Sequence, residues 1–194
     1  MTVKRRTQRV TDKWKTKKWF TLFAPKEFNN KELGETIAQK EENVMNRVIN
    51  TTLGNLTNDR KLRHLIVKFR VIKVEGTKAF TELDGIEANR SYVGRVVRKR
   101  KSKVELVTRV NTKDNKKVKI ISLTMTARKA PVSKEKEIRK IVNEVIKEEA
   151  SKKNYAEFMQ DVAFGRLGKK TFDAVRAVYP VRQNEVVKAE HILK

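Results

Sequence analysis

The chain predicts an α+β fold, with a strand-rich centre, a basic helix inserted in it, and a helical C-terminal third. Three observations carry this. Apolar residues alternate with period two through residues 65–74 and 103–110, as half-buried strands require. Between Ile138 and Ile146 they recur instead at i, i+3, i+4, i+7 and i+8, the spacing of one helix face. Pro131 separates the two patterns.

The elements follow in order. Residues 12–28 interleave basic and aromatic side chains, and Trp19-Phe20-Thr21-Leu22-Phe23 reads as a short strand stopped by Ala24-Pro25. Residues 32–42 hold four Glu against one Lys and read as an acidic loop turned away from any polyanion. A strand-like run over 44–53 is broken by Gly54, and 55–60 is rich in turn formers. The clearest strand, 65–74, places Leu65, Val67, Phe69 and Val71 on one face and Lys68 and Arg70 on the other. Gly76 allows a turn into 78–83, and Asp84-Gly85 marks another. Residues 90–101 read as a helix with Tyr92, Val93, Val96 and Val97 on one side. Strands over 103–110 and 118–127 flank the turn Lys113-Asp114-Asn115-Lys116, and a slip of phase between Ile120 and Ile121 predicts a β-bulge.

Ser133 is the expected N-cap of the long helix, with Glu135 and Glu137 near the positive end of its dipole. Helices over 155–164 and 169–178 are separated by Gly165-Arg166-Leu167-Gly168, and Tyr179-Pro180 leads into a closing strand over 181–192. The chain thus divides into a basic arm, 1–18, disordered when free, and one α+β domain, 19–194. That domain is β-rich over 19–130 and helical over 131–194.

Charge points to the partner. The 194 residues contain 47 Lys and Arg against 23 Asp and Glu, a formal net charge of +24 with a pI near 10.3. So large an excess repels itself and favours a polyanion. The first 26 residues carry nine basic residues against one acid, and residues 88–103 carry seven against none. Four basic residues in a row, Arg98-Lys99-Arg100-Lys101, followed by Lys103, exceed what a helix C-terminus needs for its dipole, so they are read as phosphate ligands.

Other functions are disfavoured. There is no Cys, hence no disulfide, thiolate metal site or Cys nucleophile, which fits a reducing cytoplasm. No apolar stretch approaches the roughly 20 residues of a membrane span, and no apolar segment follows the basic N-terminus, so neither an anchor nor a secretory signal is expected. Phosphate-cradling glycine motifs are absent. His64 and His191 read as structural or exposed, and Glu144, Glu148 and Glu149 as solvated helix charges beside Lys140 and Lys147. No catalytic residue, metal or cofactor is called for.

The candidate RNA-binding residues are Lys4, Arg5, Arg6, Arg9, Lys13, Trp14, Lys15, Lys17 and Lys18 in the arm, with Arg95, Arg98, Lys99, Arg100, Lys101, Lys103, Arg128 and Lys129 in the domain. Trp14 stacks on a base or pins the arm, both readings staying open; Trp19, beside Phe20 and Leu22, is read as a core residue. Gly165-Arg166-Leu167-Gly168 matches the GXXG of KH domains, which clamp a nucleic-acid backbone, but the favoured reading is a left-handed helix cap at Gly165. A free-standing single-strand RNA-binding regulator is the alternative function that this motif supports.

The sequence also resembles a known family. Asp12-Lys13-Trp14-Lys15, Lys18-Trp19-Phe20, Ala24-Pro25-Lys26, Gly34-Glu35-Thr36, Thr52-Leu53-Gly54-Asn55-Leu56-Thr57, the basic stretch 91–103, Arg139-Lys140-Ile141 and Tyr179-Pro180-Val181-Arg182 are similar to the archaeal and eukaryotic small-subunit ribosomal proteins of the S-three-Ae family. The short C-terminus resembles the archaeal type. Gln183 departs from the second basic residue expected after Arg182. The resemblance implies a structural, non-enzymatic ribosomal protein on the platform of the small subunit near the mRNA exit. Its implied partners are small-subunit ribosomal RNA and neighbouring platform proteins, with mRNA or initiation factors as further candidates and no membrane. It also implies a β-barrel-like centre.

Overall fold

A computed structural model of the chain describes residues 14–192, so the arm residues Lys4, Arg5, Arg6, Arg9 and Lys13 lie outside the described residues. Eight strands and five α-helices follow one another as β1 (Lys18–Phe23), β2 (Glu32–Ala38), β3 (Val48–Thr52), α1 (Leu53–Thr57), β4 (Leu65–Glu75), β5 (Lys78–Ala88), α2 (Arg90–Val96), β6 (Lys103–Asn111), β7 (Lys117–Thr126), α3 (Val132–Lys152), α4 (Tyr155–Ala163), α5 (Arg166–Arg176) and β8 (Val181–His191).

The α+β class stands, but the strands do not close into a barrel. β4 pairs with β5 along its length, so both other neighbours of β5 share its remaining edge. Parallel β1 takes Lys78, Ala79 and Phe80, and antiparallel β8 takes Gly85, Ile86 and Glu87. The sheet therefore forks at β5. One branch runs on to β1 and β2, the other to β8, β7 and β6. β6 leaves an open edge where α3 packs. There Arg139 donates to the Glu105 carbonyl and Thr108 bonds Asn143.

Each branch has its own core. Phe20, Leu22, Ala38, Val44, Val71 and Ala79 fill the smaller one. In the larger, Ile138, Val142, Ile146 and Ala150 of α3 meet Val104, Val110, Val118 and Ile120 of the sheet, together with Phe158, Met159 and Leu167. Removing this many large aliphatic and aromatic side chains from water is the main force holding helices to sheet.

Several local expectations need correction. Residues 32–42 form β2 and a short 3₁₀ turn rather than a loop, because Glu32 and Glu35 sit on the exposed face of a strand paired with β1. Asp84-Gly85 is no turn. β5 continues through it, with Asp84 as the extra residue of a bulge and Gly85 lying where a Cβ would meet the Ala189 carbonyl at 2.9 Å. Gly54 sits inside α1, and Pro131, not Ser133, caps α3. The bulge expected in β7 arises one residue later, where Val187 of β8 is the unmatched residue. A second one in β8 leaves Arg182 unmatched and exposed.

Candidate nucleic-acid interface

α2 spans only Arg90–Val96. Asn89 caps the start, its side chain accepting from the Ser91 amide at 3.1 Å. Val97 then turns extended and ends the helix. The expected continuous helix over 90–101 is therefore a two-turn helix followed by a turn, in which Arg100 adopts a left-handed conformation with φ 60°. Arg98, Lys99, Arg100 and Lys101 project from this turn rather than wrapping a helix end, and Lys103 is the first residue of β6.

The turn is fixed from beneath. The Ser102 amide donates to the Thr126 hydroxyl at 3.0 Å, the Thr126 amide donates to the Ser102 carbonyl at 3.1 Å, and the Ala130 amide donates to the Ser102 hydroxyl at 3.1 Å. The Thr126 hydroxyl in turn donates to the Arg128 carbonyl at 2.5 Å. Ser102 and Thr126 thus clip the segment carrying Arg128 and Lys129 to the basic turn, joining two stretches that the sequence separates. Tyr179 adds its hydroxyl, donating to the Lys129 carbonyl at 3.0 Å, and the Ala127 amide donates to the Pro180 carbonyl at 2.9 Å.

α2 is anchored through Tyr92. Its hydroxyl donates to Glu185 at 2.6 Å and accepts from Gln183 at 3.0 Å, while the His64 ring stacks on it with centroids 3.9 Å apart. Burial and then the Glu185 carboxylate push the Tyr92 hydroxyl up to about 12, so it stays a neutral donor at physiological pH. Gln183, where a second cation is expected, instead bonds Tyr92 and Glu185. Arg95 lies exposed with its guanidinium carbon 5.8 Å from the Tyr92 ring centroid.

Charge at this pole is unbalanced. Among the described residues, Arg90, Arg95, Arg98, Lys99, Arg100, Lys101, Arg128, Lys129 and Arg182 form no ion pair. Lys103 differs, pairing with Glu105 at 2.7 Å. Other cations of the sheet are paired with acids: Arg70 grips Asp84 with two bonds of 3.0 Å, Lys68 meets Glu87 and Glu190, and Lys116 meets Glu82, although Arg60, Arg63, Lys117 and Lys119 form no ion pair among the described residues. In the helical third Lys153 joins Glu149 and Asp161, while Lys170 reaches Glu149 at 2.8 Å.

The described part of the arm lies elsewhere. Residues 14–17 form a turn closed by the Lys17 amide donating to the Trp14 carbonyl at 3.1 Å, and Lys17 sits 4.5 Å from the Trp14 ring centroid. Lys15 is exposed, and Lys18 begins β1. Trp19, expected in the core, is 58% exposed because the inward face of β1 belongs to Phe20 and Leu22; Trp14 is 62% exposed. β1 meets β5 near Lys78, whereas α2 leaves β5 after Ala88, so the two regions attach at opposite ends of an eleven-residue strand.

The GXXG reading also fails on geometry. Gly165 is the left-handed cap expected, with φ 71°, but Leu167 and Gly168 are buried within α5, where a Cβ on Gly168 would meet the Asn184 carbonyl at 3.1 Å. No exposed loop remains there to clamp a backbone. Reasoning from sequence also passed over Arg60 and Arg63, which neighbour α1. The signal was present, since residues 43–74 hold seven basic residues and the single acid Asp59. Among the described residues no cluster of His, Asp and Glu is placed to hold a metal, and no helix is long and apolar enough to cross a membrane.

Comparison with known sequences places this sheet backed by helices, with its cationic pole, in the class of ribosomal proteins. The model of the Ribosomal S3Ae family matches residues 5–194. Small ribosomal subunit protein eS1 of Sulfurisphaera tokodaii is 40% identical over 181 residues, covering 93% of this chain and 94% of that protein. The protein of the same name from Archaeoglobus fulgidus is 38% identical over 192 residues, covering 98% and 91%, and that of Saccharolobus islandicus is 37% identical over 181 residues, covering 93% and 87%. The chain belongs to the Ribosomal S3Ae family. That family is not enzymatic, in keeping with the expectation drawn from the residues.

Proposed function

We propose that this chain is a structural constituent of the small ribosomal subunit in the cytoplasm and binds ribosomal RNA through its cationic pole. The name shared by its relatives supports the assembly. The observation that carries the binding mode is the set Arg98, Lys99, Arg100, Lys101, Arg128 and Lys129, unpaired and joined through Ser102 and Thr126, with the unpaired Arg95 beside it on α2. Preformed cations release condensed counterions from a phosphate backbone without first ordering a flexible segment. Lys103 takes part with its charge shared by Glu105.

Trp14, Lys15, Lys17 and Lys18 form a second contact at the other end, where exposed indoles offer stacking surfaces and lysines reach phosphates; Lys4, Arg5, Arg6, Arg9 and Lys13, outside the described residues, add to it on the strength of their sequence alone. The platform near the mRNA exit, with neighbouring platform proteins, is the location that the family resemblance of the sequence supports. The test is gradient sedimentation of native lysate probed for this chain. Co-sedimentation with small subunits that survives moderate salt is the expected result, and free protein at the top of the gradient contradicts the proposal.

A further inference from the structure

The conspicuous feature left unused by the cationic pole is a polar cleft of about 230 Å³ beside α1, lined by Gly54, Asn55, Asn58, Arg60 and Arg63. Its walls are donors. Neither Arg60 nor Arg63 forms an ion pair among the described residues. The one nearby acid, Asp59, accepts from the Lys61 amide at 2.9 Å and caps the short 3₁₀ turn. Lys31 reaches in from the other side. Its ammonium donates to the Asn55 carbonyl at 2.6 Å, the Leu56 carbonyl at 3.3 Å and the Asn58 side-chain oxygen at 3.4 Å, so the Asn58 amide nitrogen remains a donor.

The shape depends on Gly54. A Cβ there would meet the Arg63 Cγ at 2.6 Å and the Asp59 carbonyl at 2.8 Å, so only glycine lets the Arg63 stem lie against α1. Asn58, left-handed at φ 57°, turns the chain so that residues 60–63 face the helix they follow. The cleft is also tied to the pole. His64 holds the Lys61 carbonyl through Nδ1 at 2.8 Å, its own carbonyl accepts from the Asn89 amide at 2.7 Å, and its ring stacks on Tyr92.

We propose that this cleft is a second phosphate site, in which the guanidinium groups of Arg60 and Arg63 and the Asn58 amide grip the backbone of an RNA strand that continues onto α2 and the basic turn. The proposal rests on the RNA-binding reading above. Planar, five-donor guanidinium groups match phosphate oxygens in pairs, which ammonium groups do not.

The test is binding of small-subunit ribosomal RNA to the full chain over graded salt, with circular dichroism confirming the fold of every variant. Arg60→Ala with Arg63→Ala should lower affinity about tenfold at moderate salt and make the log–log salt slope shallower by about 1.4–1.8, the loss of two phosphates. Arg60→Lys with Arg63→Lys should restore the slope while affinity stays about threefold low, since charge returns without the fork. An unchanged slope in the Ala pair, while Arg98→Ala with Lys99→Ala and Arg100→Ala loses slope, overturns the cleft and leaves the pole standing. Wild-type binding without salt dependence overturns both.

Discussion

The two basic ends of this molecule hold phosphate-seeking charge in different ways. At the pole after β5, the cations stand on a turn and on the segment 128–129, which are joined through Ser102 and Thr126 and braced at Lys129 by Tyr179, and residues 88–103 contain no acid. At the start of β1, Lys15, Lys17 and Lys18 accompany two exposed indoles, and Glu41 and Glu42 line the hollow beside Lys18. The first arrangement concentrates fixed positive potential. The second adds exposed stacking faces to its lysines. Fixed charge contributes the salt-dependent part of the affinity, and stacking a part that salt barely touches.

Breaking the first end should have the larger effect. Reversing Arg98→Glu, Lys99→Glu and Arg100→Glu together should weaken ribosomal RNA binding by at least about a hundredfold at moderate salt, because each cation lost also becomes a repulsion. Filter binding measures it; a loss below tenfold would mean that the pole is solvated surface.

Trp14→Ala with Trp19→Ala sharpens the contrast. Each stacked base is worth about 1–3 kcal/mol, so affinity should fall while the salt slope stays put. With both rings more than half exposed, the melting temperature should stay within about 2 °C of wild type, a shift worth about 0.5–1 kcal/mol in a chain of this size. A large drop in melting temperature would show that the indoles hold the fold instead.

Thr126→Val removes the hydroxyl that bridges Ser102 and Arg128 without touching a charge. Leaving those buried groups unmatched should cost about 1–3 kcal/mol of stability, read in urea melts. Affinity should also fall at constant charge, if fixing the turn matters. Full affinity in a destabilised variant would separate stability from preorganisation and favour an adaptable pole.

The smallest effect concerns the paired charges far from both ends. Hydrogen bonds from Lys153 and then Lys170 hold the Glu149 carboxyl below its ordinary value of 4.5. A lowered folded value means that its stabilisation is full above that ordinary value and is lost as pH falls through the folded one. Glu149→Gln should therefore be less stable than wild type at pH 6–7, and the gap should close below about pH 4. A gap that persists at low pH would assign the difference to packing.

Local patterns were legible in the sequence where one element decided them. β4 alternates as its buried Leu65, Val67, Phe69 and Val71 demand, and α3 turns inward the Ile138, Val142 and Ile146 that its spacing marked out. Pairings between distant segments decided what was missed. Asp84-Gly85 carries turn chemistry, yet two neighbouring strands, β4 and β8, hold the chain extended there. The forked sheet follows from β1 and β8 sharing one edge of β5, which no local pattern encodes.

The same limit applies to the site. The basic run 98–101 was visible at once because it is contiguous, while its link to Arg128 and Lys129 passes through Ser102 and Thr126, which look ordinary in sequence. Arg60 and Arg63 were overlooked because their short cluster with Lys61 follows a stretch of turn formers. Trp19 was misplaced because β1 alternates, and its apolar neighbours Phe20 and Leu22 take the inward face.

The most direct test of a fixed cationic pole is the salt dependence of binding to small-subunit ribosomal RNA, compared between wild type and Arg98→Ala with Lys99→Ala and Arg100→Ala. Neutralising about ten phosphates predicts a wild-type log–log slope of roughly −7 to −9, made shallower by about 2–3 in the variant. Parallel lines for the two proteins would contradict the account.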